Sequence, residues 1–194
     1  MIVIISCHFD TIFLDPFSTV KNGTLYGTCD NLAGILATAQ LIGKEGMFIE
    51  YTNQEESTMG GARNVAGEHS ADDTFIVVVD VTERGKNWDK LYFTVENYFG
   101  IQLKHLKKAL RPLNGHYKII ERGKESEAWL YKDLGFACLE IDVPVSGGLH
   151  NLKNKARLVD ILKASEAIGL ICDYLGGKDR TVLCDAYKPG NIVN

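Results

Sequence analysis

No two of the five cysteines, Cys7, Cys29, Cys138, Cys172 and Cys184, are spaced as CxxC, and their number is odd. That argues against a disulfide framework and against a thiolate zinc site, and a reducing cytoplasm is the expected home. Long apolar runs are missing too. The apolar start, Met1 to Cys7, falls far short of the roughly 20 residues a membrane span needs. It also lacks the basic flank and small-residue cleavage site of a signal peptide, so it reads as a buried strand of the mature protein. Nor is there a basic stretch: 21 Lys and Arg are scattered among 25 Asp and Glu, for a net charge of −4. Neither nucleic acid nor an anionic membrane is therefore an expected partner; a peptide or other small molecule is. The four prolines all fall in inferred loops, and no repeat, low-complexity tract or Pro/Ser-rich linker breaks the chain. A single domain over residues 1–194 is expected, long enough to bury roughly 70% of its unfolded surface.

Short runs rich in β-branched and aromatic residues read as strands at Ile2–Ser6, Met47–Thr52, Phe75–Asp80, Leu91–Val95, Tyr117–Ile120 and Phe136–Ile141. Apolar residues at three- and four-residue spacing predict helices between them. The first runs from Asn31 to Ile42 with Asp30 as its N-cap; the others cover Met59–His69, Tyr98–Leu110, Ser126–Leu134 and Lys155–Leu175. A weak strand signal lies around Val182–Cys184. Alternating strands and helices predict an α/β fold, a three-layer αβα sandwich around a mostly parallel mixed sheet, in one compact domain without a lid. In such sheets functional sites form beyond the carboxyl ends of the strands.

Polar residues stand where the apolar strands end: His8 and Asp10 after the first, Glu55 and Glu56 after the second, Asp80 closing the third, His150 after the last. With Asp30 they form a set dense in carboxylates, which repel one another unless cations neutralise them. Two divalent metal ions resolve that conflict, and a His and carboxylate donor set suits zinc. Asp30, between the other ligands in chain order, is the expected bridge. Adjacent carboxylates Glu55 and Glu56 allow one to face metal and the other to handle a proton, with Glu55 as the general base.

The segments Ser-Cys-His8-Phe-Asp10-Thr, Leu-Tyr-Gly27-Thr-Cys-Asp30-Asn31-Leu-Ala-Gly34, Tyr-Thr-Asn-Gln-Glu55-Glu56-Ser-Thr-Met-Gly60-Gly61-Ala, Val-Val-Val-Asp80-Val-Thr and Gly-Gly-Leu-His150-Asn follow one another along most of the chain. In that order the sequence resembles the zinc-dependent exopeptidase superfamily, the aminopeptidases and amidohydrolases of the M20, M28 and M42 peptidase families. The resemblance implies His8 and Asp80 on one metal, Glu56 and His150 on the other, and Asp30 on both. It makes Glu55 the general base and gives Asp10 a supporting role, orienting the His8 ring through its second nitrogen. It also implies a peptide or N-acyl amino acid substrate. Only 69 residues separate Asp80 from His150, too few for an inserted lid or dimerisation domain of the M20 type.

Other readings of the same residues are simpler. A strand-end histidine is more often structural than a ligand, Asp30 could serve only as a cap, and Glu55–Glu56 could be a solvated loop; the ordered set favours the metal reading. His69, His105 and His116 are expected at the surface, and Cys7 and Cys29 in the core. Glu127 resembles a supporting or substrate-side acidic position. Ser126 and Ser146 lack the G-x-S-x-G context of a nucleophile. The contrasting hypothesis is a non-catalytic, metal-stabilised binding or scaffold domain.

Overall fold

The computed structural model describes residues 1–84, 91–97, 101–120 and 126–183. Four consecutive parallel strands form its centre: β1 (Ile2–His8), β4 (Phe48–Thr52), β5 (Thr74–Glu83) and β8 (Ala137–Ser146), in the spatial order β4-β1-β5-β8. β1, β5 and β8 read as near-continuous apolar runs because both faces of the sheet are covered. On one face lie α1 (Leu32–Ala39) and α5 (Leu158–Leu175); on the other lie α2 (Gly60–Glu68) and α4 (Glu127–Asp133). The core is correspondingly rich in Val and Ile, with Ile4, Ile5, Phe75, Ile76, Val77 and Leu139 completely buried. The architecture is thus the expected mixed α/β sandwich with a mostly parallel central sheet, one compact domain.

Beyond β8 the sheet turns antiparallel. The hairpin β2 (Ser18–Lys21) and β3 (Thr24–Gly27) continues to the short β9 (Lys155–Arg157), which pairs with the end of β8. Lower on β8 the same edge carries β6 (Phe93–Glu96), which runs antiparallel to β8 and pairs in turn with a parallel β7 (Tyr117–Ile120). α3 (Leu103–Ala109) packs near α5, and a single helical turn, α6 (Arg180–Leu183), ends the described chain.

The structure corrects several of these assignments. β2 and β3 were not expected, although the Asn22–Gly23 pair between them, both at positive φ (50° and 71°), carries a strong local hairpin signal. β5 runs on to Glu83 and β8 to Ser146, because each supplies the other's hydrogen-bond partners past the last apolar residue. Asp80 therefore sits within its strand rather than closing it. Lys155–Arg157 is strand and the last long helix starts at Leu158, since β9 is held between β3 and β8. α1 stops at Ala39, short of Ile42. Val182 and Leu183 are helical, not extended, while Cys184 and the first residues of the helix expected over Tyr98–Leu110 lie outside the described residues. No helix among the described residues is long and apolar enough to cross a membrane.

Candidate active site

His8 is the last residue of β1, in register with Thr52 of β4, and its side chain is almost fully buried. The alternation of a strand places its ring on the face opposite Cys7. Its Nε2 lies 3.2 Å from Asp80 Oδ1 and 3.4 Å from Asp30 Oδ1. Across the cluster His150 Nε2 lies 3.3 Å from Asp30 Oδ2 and 3.2 Å from Glu56 Oε2. The two oxygens of Asp30 thus face different histidines, and the donor atoms fall into two groups that share this one carboxylate: His8, Asp30 and Asp80, and Asp30, Glu56 and His150.

Local backbone features aim these groups. Asp30 is not the cap of α1; Asn31 is, its Oδ1 accepting from Gly34 N at 3.1 Å while its Nδ2 donates to Val79 O at 2.7 Å. With Asn31 holding the helix end and the neighbouring strand, the Asp30 carboxylate is left for the cleft. The chain reaches Asp30 through Gly27 at φ +109°, where a Cβ would collide with the Phe17 carbonyl oxygen. His150 follows a similar constraint: Gly147, at φ +104°, lets the chain pass Lys153 O, which a Cβ would meet at 2.8 Å.

Asp10 has a double task, broader than the expected one. Its backbone carbonyl lies 3.2 Å from His8 Nδ1 and its carboxylate 3.6 Å away. The same carboxylate accepts from the backbone N–H groups of Glu55 and Glu56 at 3.2 and 3.3 Å, tying the glutamate loop to the histidine strand. That loop is closed by Gln54 O, which accepts from Ser57, Thr58 and Met59 N.

Charge in the cluster explains its proton affinities. Burial lowers the proton affinity of His8, but its hydrogen bonds to Asp30 and Asp80 outweigh that and push its pKa up to about 12. The two carboxylates thus favour the protonated ring, and a cation bound there has to displace that proton. Burial, then the charge of Asp80, raises Glu55 to about 7. Burial and the charge of Asp30 also raise Glu56. Glu56 Oε1 is buried with no hydrogen-bond partner among the described residues, as expected of a donor kept for a cation. The buried His8 ring, the more exposed His150 and carboxylates with one orphaned oxygen fit hard-to-borderline divalent ions such as zinc.

Three carboxylates that the sequence reading passed over share the cleft, a cavity of about 320 Å³: Glu96, Glu140 and Asp142. Glu140 and Asp142 alternate along the apolar β8 on the face that carries Asp80, to which Asp142 is paired in register. That period-two pattern of acids in Leu-Glu-Ile-Asp-Val was the signal available. Ser126 Oγ donates to Glu140, and Thr94 Oγ1 donates to Asp142 at 2.7 Å. Burial, then Asp142, holds Glu140 far above the ordinary carboxylate range, while burial and the charge of Glu96 take Asp142 to about 7.

Each of these raised carboxylates favours the folded state only while protonated. For Asp142 that stability is complete below its ordinary value of 3.8 and is lost as pH rises through about 7. Glu55 and His8 act in the same direction. The Tm of the metal-free protein is expected to fall steadily from pH 5 to pH 8, and Asp142→Asn to flatten that fall. A thermal-melt series across this range checks it; a Tm that rises with pH would contradict the assignment.

Glu127 lies under the site rather than on the cleft wall. It is 1% exposed, and its Oε2 accepts from Ser6 Oγ at 3.0 Å, which also contacts Tyr131 OH. Cys7 and Cys29 are core residues, as expected. His116 is exposed, and His69 and His105 are half-buried, with His105 Nδ1 2.8 Å from Tyr174 OH.

No family model matches this sequence, and no curated protein is similar to it at a significant level. Solved structures are. The TET1 peptidase of Pyrococcus horikoshii, described as assembling into a tetrahedron or a large octahedral shell, superposes with a TM-score of 0.63 at 18% identity, over 81% of this chain and 52% of that one. The fold is shared with aminopeptidases. An aminopeptidase from the archaeon Desulfurococcus kamchatkensis gives 0.65 at 18% identity, over 85% and 52%. A Thermotoga maritima protein described as an endoglucanase gives 0.55 at 16%, over 81% and 54%. The chain spans about half the length of each of these. At such identities the likeness concerns the fold, and the reaction has to be argued from the site.

Proposed function

We propose that the protein is a two-metal, zinc-type hydrolase of peptide or N-acyl amide bonds, acting near a chain end as an aminopeptidase does. The observation that carries the reading is the Asp30 carboxylate, turned with one oxygen to His8 and the other to His150, with Glu55 beside it. His8, Asp80 and Asp30 would hold one ion, and Glu56, His150 and Asp30 the other. When bound, such a pair polarises a carbonyl and lowers the pKa of water to about 7. Glu55, raised to about 7 and tethered through its own N–H to Asp10, takes the proton of the attacking water and returns it to the leaving amine. Asp10 positions Glu55 for that transfer and also holds the His8 ring. No serine or cysteine nucleophile enters the scheme. The aminopeptidases that share the fold support this reading, and the acidic cleft suits an uncharged amide next to a free ammonium group better than an anionic substrate.

A substrate panel tests it. Aminoacyl anilides, dipeptides, N-acetyl amino acids and a soluble β-glucan are offered to the purified protein with zinc, cobalt or manganese. Amide hydrolysis that requires metal and stops with a chelator is the expected result. Cleavage of the glucan alone would replace the reading. An inert protein under all three metals would favour a non-catalytic, metal-stabilised scaffold.

A further inference from the structure

A second cavity, of about 260 Å³, opens on the antiparallel side of the sheet and is lined by Thr24, Tyr26, Arg84, Ser146, Lys155 and Arg157. Strand register explains why these residues meet. Tyr26 of β3, Lys155 of β9 and Ser146 of β8 stand abreast on three adjacent strands. Thr24 and Arg157, paired with each other, lie two residues further along and so on the same face. Arg84 follows the end of β5, its N–H donating to Val145 O. Three cations and three hydroxyls thus line one small pocket in a protein whose net charge is −4.

The pocket is rigid where it is charged. Arg157 grips the fully buried Asp160 with two hydrogen bonds of 2.8 and 2.7 Å, and Arg84 pairs with the same carboxylate. Asp160 balances one of the two guanidiniums and anchors both. Lys155 is different: among the described residues it has no carboxylate partner, and its ammonium stands 5.6 Å from the centre of the Tyr26 ring. Fixed guanidinium edges, an ammonium and neighbouring hydroxyls are the donors that a multi-oxygen anion takes, and among the described residues no carboxylate lines the cavity to repel it.

We propose that this pocket binds an oxyanion, and that in the hydrolase reading, on which this second step rests, the anion is the terminal carboxylate of a short peptide substrate. Arg84 directly follows β5, four residues after Asp80, which at extended-chain spacing is a separation of about 13 Å. A substrate held at the Asp80 cluster and reaching the pocket in extended form spans about four residues. The pocket then measures peptide length and favours short peptides with a free carboxyl end over longer or amidated ones.

Binding and turnover test the two layers separately. Inorganic phosphate is titrated calorimetrically into the protein, wild type and Lys155→Gln, with Tyr26→Phe as a second variant; all leave the Arg84–Asp160–Arg157 anchor and the cleft intact. Binding weakened about tenfold or more in Lys155→Gln supports the site. No phosphate binding, or binding unchanged in both variants, overturns it. Hydrolysis is then compared for tetrapeptides ending in a carboxylate or an amide. A KM raised about tenfold by amidation in wild type, and not in Lys155→Gln, identifies the anion as the substrate's own. Equal KM values with phosphate still bound show a site for a free anion and overturn the peptide assignment. A protein that binds phosphate at Lys155 but cleaves no amide would leave the anion site standing and sink the hydrolase reading.

Discussion

Asp30→Asn is expected to empty both metal positions at once. The amide keeps the size of the carboxylate but loses its charge and turns one of its two acceptor oxygens into a donor. Each Asp30 oxygen now faces a different histidine, at 3.4 Å from His8 and 3.3 Å from His150, so no other residue can replace it in either group. Elemental analysis after gel filtration should fall from about two ions per chain to near none. His150→Ala, by contrast, should leave the His8, Asp30 and Asp80 group occupied and the content near one. The contrast matters more than either number. If Asp30→Asn keeps its full metal content, the shared-carboxylate arrangement is wrong. Circular dichroism on both variants separates this from a loss of fold, which is not expected, because the cap of α1 is Asn31 rather than Asp30.

Glu55→Gln should lower kcat by about two to four orders of magnitude while metal content stays unchanged. Its side chain belongs to neither donor group, yet it lines the cleft that both share. Burial and the charge of Asp80 hold its pKa near 7, where a carboxylate can both accept and return a proton in one turnover. Glutamine keeps the backbone N–H that bonds Asp10, so the loop geometry survives the change. Little change in KM with a large fall in kcat is the expected split, since the lost interaction belongs to proton transfer rather than to substrate binding. Activity within tenfold of wild type would remove Glu55 from the mechanism. A loss of metal equal to the loss of activity would instead move it into the ligand set.

The sequence and the fold contributed different parts of this picture. The central strands were legible because a strand covered on both faces is continuously apolar, and β1, β5 and β8 are so. The positions of His8, Glu55, Glu56, Asp80 and His150 were legible as polar residues at the ends of apolar runs, and Asp30 as a polar residue at a predicted helix start. What failed was everything decided by a partner strand. β2, β3 and β9 are short and half exposed, too weak to be recognised alone and stable only because each lies against the next. Asp30 looked like a cap because Asp and Asn both cap helices well. Only the position of Val79 shows why Asn31 takes that role, its amide reaching a strand 48 residues away.

Residue type and order along the chain thus determined the list of candidate donors and the class of fold, because both follow from local polarity and periodicity. The tertiary structure alone decided which donors meet. It divided the oxygens of Asp30 between two histidines, gave Asp10 a second task, and put Glu96, Glu140 and Asp142 into the same cleft. It also gathered Arg84, Lys155 and Arg157 into one pocket. These are long-range register effects, set by which strands pair and in what alignment, and no window of the sequence contains them.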